Sequence, residues 1–171
     1  DGSYYIPSSL RSVTITGECN LQNAFYGCKR LETITIPRNT DVKRSAFNSC
    51  YSLIAAILPE ATKVIPPYAL DSCYSLKRVS LSHKVTTFGT GAFSGCESLT
   101  SVTIPDSVTS IGASAFYGCT AITRLSLPSG NLSIGRAAFY NCTALATINW
   151  PRTLSSVSSN VFYNCKALKR V

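Results

Sequence analysis

Methionine is absent from these 171 residues, tryptophan and histidine occur once each, and no acidic residue follows Asp106. Each scarcity removes a class of function. A single histidine, His83, and the lack of any Cys-x-x-Cys pair leave too few ligands for a zinc site. Standing alone in a connector, His83 also offers no partner for acid–base work, and no catalytic residue is expected. No run approaches 18 apolar residues, so no membrane-spanning helix is expected. No basic stretch followed by an apolar one opens the chain, so no signal peptide is expected within it.

The shortage of acid makes the charge lopsided. Residues 1–106 hold ten basic and eight acidic groups, or +2, and residues 107–171 hold six basic groups and no acid, or +6. A basic end attracts polyanions. These bases are not interleaved with aromatics, however, and no helix is offered to a groove, so nucleic acid is not expected as a partner.

What the chain has in abundance is one sentence repeated. Ala92-Phe93, Cys96, Leu99, Val102, Ile104 and Pro105 return 23 residues later as Ala115-Phe116, Cys119, Ile122, Leu125, Leu127 and Pro128. The cysteines of this frame, Cys28, Cys50, Cys73, Cys96, Cys119, Cys142 and Cys165, are separated by 22, 23, 23, 23, 23 and 23 residues. A fixed period in this range is the signature of a solenoid, whose coils bury their apolar side chains only against neighbouring coils. Seven of the eight cysteines therefore read as small buried hydrophobes with free thiols rather than as disulfide partners. Only Cys19 lies outside the frame.

Within a coil, Val102 and Ile104 alternate with Ser101 and Thr103 as a strand does, and Pro105 ends the run. Val108 and Ile111 form a second short apolar segment, with Gly112 at a bend. Ala115-Phe116 and Cys119 have the spacing of one helical or 3₁₀ turn. Gly89, Gly112 and Gly135 share one repeat position, and Gly27, Gly95 and Gly118 another, so they are part of the frame and not a phosphate loop. The early connectors are irregular: Cys19 or Leu21 is expected to fill the first, and Val42 alone to anchor the second. Asn131 falls at the Val108 position, and Trp150 falls at the Ile104 position, pointing inward with local widening of the coil.

The AFxxCxxLxxVxIP blocks and VxxIGxxAF connectors, which cover nearly the whole chain, resemble the BspA-like leucine-rich repeats of bacterial and protist surface proteins. The resemblance implies a right-handed horseshoe. The expected fold is thus a repeat solenoid of leucine-rich-repeat type, mainly β, with a concave parallel sheet of short strands and 3₁₀ or helical turns on the convex side. It is expected to be a single domain over residues 1–171, about seven 23-residue coils, excised from a longer chain. The resemblance also implies an extracellular or cell-surface location and a role in adhesion or host-protein binding.

A parallel sheet lines up outward side chains in columns. One column holds Ser12, Thr33, Ala55, Arg78, Ser101, Arg124, Thr147 and Arg170, and its neighbour holds Thr14, Thr35, Ile57, Ser80, Thr103, Ser126 and Asn149. Arginine recurs in every second coil of the later half, about 10 Å apart at the usual strand spacing. The expected ligand face comprises Arg78, Ser80, Ser101, Thr103, Arg124, Ser126, Thr147, Asn149 and Arg170. Its expected ligand is a host or matrix protein or an acidic glycan, with no cofactor and no metal. Elsewhere, Tyr117, Tyr140 and Tyr163 form an aromatic column read as a shield over the turn beneath, and Tyr51 and Tyr74 form a shorter one. Two further readings are a structural spacer and the targeting arm of an enzyme outside this segment.

Overall fold

The computed structural model describes residues 6, 7, 9–17, 19–154 and 156–169. Ten short strands wind through them in sequence order: β1 Ser12–Thr14, β2 Thr33–Thr35, β3 Ala55–Ile57, β4 Val64–Ile65, β5 Arg78–Ser80, β6 Thr87–Phe88, β7 Ser110–Ile111, β8 Arg124–Ser126, β9 Ser133–Ile134 and β10 Thr147–Asn149. All pairings are parallel, and they form three sheets in the orders β1-β2-β3-β5, β8-β10 and β4-β6-β7-β9. The first two lie along the concave wall, and the third is a second wall built from the connector segment. Ile111 thus enters this second wall, in β7, in register with Phe88 and Ile134.

The segment expected as a helical or 3₁₀ turn is a series of single turns, and no α- or 3₁₀-helix occurs among the described residues. In the coil of Phe116, the N–H groups of Ala115, Tyr117 and Cys119 close turns onto the carbonyls of Gly112, Ser114 and Phe116. The alternate N–H groups, of Ser114, Phe116 and Gly118, instead donate to Arg136, Ala138 and Tyr140 of the next coil at 2.8–2.9 Å. A helix sends every interior N–H to its own chain, so a segment that shares alternate ones with a neighbour cannot be helical. The alternation requires left-handed backbone two residues before and two after the core aromatic, as at Ser114 (φ 54°) and Gly118 (φ 69°). Asn, Ser and Gly fill most such positions, and Asn and Gly are the residue types that enter this region most cheaply. Tyr68 is an exception, and its ring lies where a Cβ on Gly91 would be 2.6 Å away.

The interior is one cluster running from Leu21 to Cys165. Phe93, Phe116, Phe139 and Phe162 stack at successive centroid distances of 5.2, 5.4 and 5.6 Å. The irregular connectors resolve in particular ways. Leu21, not Cys19, fills the first, because Leu21 is buried and Cys19 exposed. The second buries Thr40 as well as Val42. Leu132 turns inward in place of Asn131, which is exposed. Ser82, at a proline position, is buried with its hydroxyl donating to the Glu60 carbonyl at 2.6 Å. Trp150 is half-buried against Phe162, its indole N–H donating to the Leu154 carbonyl at 3.0 Å.

Candidate functional site

Register fixes the concave columns. Ser12, Thr33, Ala55 and Arg78 are successive partners across β1-β2-β3-β5, as are Arg124 and Thr147 across β8-β10. In the second column Thr14 pairs with Thr35, Ile57 with Ser80, and Ser126 with Asn149. Each of these strands turns its middle residue inward and its flanking residues toward solvent, as a strand with one covered face does. Arg170 lies outside the described residues.

Three members of the expected face differ from the rest. Asn149 accepts from the Leu127 N–H through Oδ1 at 2.6 Å and donates through Nδ2 to the Leu127 carbonyl at 3.0 Å. Its amide therefore extends the β8-β10 ladder by one residue, to Leu127. Ser101 and Thr103 are exposed, but the concave segment carrying them forms no strand. No backbone hydrogen bond joins Ser101–Ile104 to the coil on either side, so the concave wall is interrupted between β5 and β8. The second wall and the turn segment continue past this point: β6 pairs with β7, and Phe93 N–H reaches the Ala115 carbonyl at 2.8 Å.

Beside this interruption lies a shallow hollow of about 380 Å³, lined by Ala55, Ala56, Ile57, Arg78, Val79, Ser80, Ser101 and Thr103. Its apolar part is unusual for an outward column, because Ile57 is 68% exposed. Ile57 was visible in the sequence as the one aliphatic residue in a Ser/Thr column, and that was the available signal for an apolar contact. Arg78 is the one charged residue lining the hollow. Arg11 pairs with Glu32, Arg38 with Glu60 at 3.9 Å and Lys43 with Asp41 at 2.9 Å, whereas Arg78 and Arg124 have no acidic partner among the described residues.

On the turn side, Tyr117, Tyr140 and Tyr163 stack at 5.0 and 4.8 Å, and Tyr51 and Tyr74 at 4.9 Å. Rings stacked along the axis cover one another's faces and offer solvent mainly edges and hydroxyls. Asp71 stands in the same column between Asn48 and Ser94. Burial raises its carboxyl above the ordinary range, and hydrogen bonds from Ser94, Asn48 and Ser72 oppose that rise. Among the described residues, no group of three or more His, Cys, Asp or Glu side chains is placed to hold a metal ion.

Parallel coils of one period, an interior of Leu, Phe and Cys columns and a concave strand in nearly every coil define a leucine-rich-repeat solenoid. The chain belongs to the BspA type leucine rich repeat region, whose sequence pattern matches residues 3–123 and 109–171 in six copies. Solved structures agree on the fold. A leucine rich repeat protein of T. pallidum superposes with a TM-score of 0.76 at 26% identity, over 97% of this chain and 76% of its own. A leucine-rich repeat protein from Bacteroides ovatus gives 0.62 at 22% identity, over 92% of this chain and 44% of its own. One from Eubacterium ventriosum gives 0.57 at 21%, over 95% and 55%. Among curated proteins there is no match.

Proposed function

We propose that this chain is a non-catalytic interaction module of a secreted or surface-displayed protein, and that it binds an acidic macromolecular ligand along its concave wall. The observation that carries the reading is the pair Arg78 and Arg124, which face solvent on one wall with no acidic partner among the described residues. Arginine's planar fork suits carboxylate and sulfate alike. Family membership supports an extracellular setting, in which the ligand is a host or matrix protein or an acidic glycan. Exposed charge contacts are worth only about 0.2–1 kcal/mol each, so binding draws on several together with the neighbouring hydroxyls of Ser80, Ser101, Thr103, Ser126 and Thr147.

Changing Arg78 and Arg124 together to Ser is the test. Ser12 and Ser101 already occupy that column, so the fold is retained. Retention on immobilised heparin or on an acidic matrix protein should fall, and the parent's binding should weaken as salt rises. A double variant that binds like the parent would favour the spacer reading.

A further inference from the structure

The inference rests on the acidic-ligand reading above and narrows it to one class of partner. We infer that the hollow beside Arg78 takes an extended acidic peptide in polyproline II conformation, with carboxylates at positions i and i+3 on Arg78 and Arg124 and an apolar residue just before the first carboxylate on Ile57.

Spacing is the first argument. Arg78 and Arg124 hold equivalent repeat positions two coils apart, and the second wall keeps those coils in register through β6, β7 and β9, which puts them about 9.6 Å apart at the usual strand separation. A polyproline II chain has three residues per turn and a rise of about 3.1 Å, so every third side chain returns to one face after about 9.3 Å. A β-strand repeats its face every second residue, at about 6.8 Å, and misses the interval. An α-helix, about 10–12 Å across with its side chains, is wider than a wall whose strands have three residues. Ser101 is the residue between the two arginines, small enough to let a peptide backbone lie close to the wall.

The second argument is chemical. Ala55, Ile57 and Val79 line the hollow together with Arg78, so the site presents apolar surface beside its charge. A Leu–Glu step satisfies both, whereas a sulfated glycan has no aliphatic side chain to cover Ile57. A polyproline II chain has no internal hydrogen bonds, so its backbone groups are free for partners. The hydroxyls of Ser80, Ser101 and Thr103, which line the hollow, supply them along the same interval.

The test uses two labelled peptides of identical composition, Leu-Glu-Pro-Pro-Glu-Pro-Pro-Glu and Leu-Glu-Glu-Glu-Pro-Pro-Pro-Pro, titrated by fluorescence anisotropy at low salt, with heparin as a third ligand. The spaced peptide should bind about fivefold tighter than its isomer, the size of one exposed ion pair. Arg78→Gln, Arg124→Gln and Ile57→Ser should each weaken it by about fivefold while thermal melts stay unchanged, since all three side chains face outward. Equal binding of the two peptides, lost in the arginine variants, overturns the proposed register and leaves the acidic-ligand reading standing. Heparin binding that depends on the arginines but not on Ile57, with neither peptide bound, assigns the wall to a glycan and also overturns it. Binding of every ligand unaffected by the arginine variants sinks both readings.

Discussion

The thiol of Cys119 donates to the backbone carbonyl of Phe93, one coil earlier, at 3.2 Å. Cys50, Cys73, Cys96, Cys142 and Cys165 repeat this bond onto Phe25, Phe47, Leu70, Phe116 and Phe139 at 3.1–3.2 Å. Each of those carbonyls also accepts the N–H of the cysteine in its own coil. The cysteine column is therefore a row of polar rivets inside an apolar interior. A first consequence is selective reactivity, because all seven column cysteines are buried and Cys19 is exposed. A thiol reagent should modify Cys19 rapidly and the column only on denaturation, read as one equivalent released first and seven later. Rapid native modification of several column cysteines would contradict the buried row.

Burial also ties the column to alkaline stability. Loss of water raises the Cys50 thiol from 9.0 to about 12, with neighbouring Cys28 adding to the rise. A group whose pKa is higher folded than unfolded supplies stability that is intact below the unfolded value and is lost as pH climbs through the folded one. Stability should hold up to about pH 9 and fall steeply between pH 9 and 12. Cys73, Cys96 and Cys119 are shifted upward by the same cause and steepen the fall. In denaturant melts across this range, Cys50→Ala should lose less stability per pH unit than the parent. Identical slopes would show that thiol ionisation is not what limits the alkaline limb.

The glycine position shared by Gly89, Gly112 and Gly135 has a steric cause. A Cβ on Gly112 would lie 2.7 Å from backbone atoms of Gly89 and Thr90, and one on Gly135 2.5 Å from Ala113 N. Stacked backbones approach too closely there for any side chain. Gly112→Ala should destabilise by at least about 1–3 kcal/mol, the cost of overpacking an unyielding site. Gly17→Ala is the internal control, since nothing lies within 4 Å of its would-be Cβ. Equal melting curves for the two variants would remove the close-approach account.

The period alone made the stack, its cysteine column and its concave register legible, because a 23-residue repeat forces equivalent residues into vertical alignment. The turn segment was misread for a physical reason. Ala115, Phe116 and Cys119 recur at a helical interval, but their spacing is set by which side chains face the core. Backbone partners come from the next coil, and a single repeat does not display them. The interruption at Ser101–Ile104 was invisible for the opposite reason, since this coil has the consensus residues. Asn149 faces outward as its column requires, but no sequence pattern shows its side-chain amide extending the ladder to Leu127.

Thr40 and Thr62 are buried where later coils carry Val85 and Val108, and neither hydroxyl has a hydrogen-bond partner among the described residues. A buried unsatisfied hydroxyl costs about 1–3 kcal/mol, and valine has nearly the same shape. Thr62→Val should therefore raise stability by about 1 kcal/mol or more in chemical denaturation, with no change in m value. A destabilised variant would mean that the hydroxyl bonds to a water within the coil.

The last prediction separates a one-dimensional stack from an ordinary globular core. Phe116 is fully buried, stacked between Phe93 at 5.2 Å and Phe139 at 5.4 Å and met edge-on by Phe88 at 5.5 Å. Removing its ring strips contacts from the coils on both sides, and Phe116→Ala should cost about 3–5 kcal/mol. Phe162 stacks on Phe139 at 5.6 Å, touches Trp150 at 6.1 Å and is only half-buried. In a stack whose stability is a sum of coil and nearest-neighbour terms, the loss scales with the interfaces a residue supports. Phe162→Ala should cost no more than about half as much as Phe116→Ala. It should also fray the last coil, so that hydrogen exchange at Tyr163, Cys165 and Leu168 accelerates before the centre melts. Equal losses at both sites, with exchange unchanged at the end of the stack, would show that the coils fold as a single unit without nearest-neighbour order.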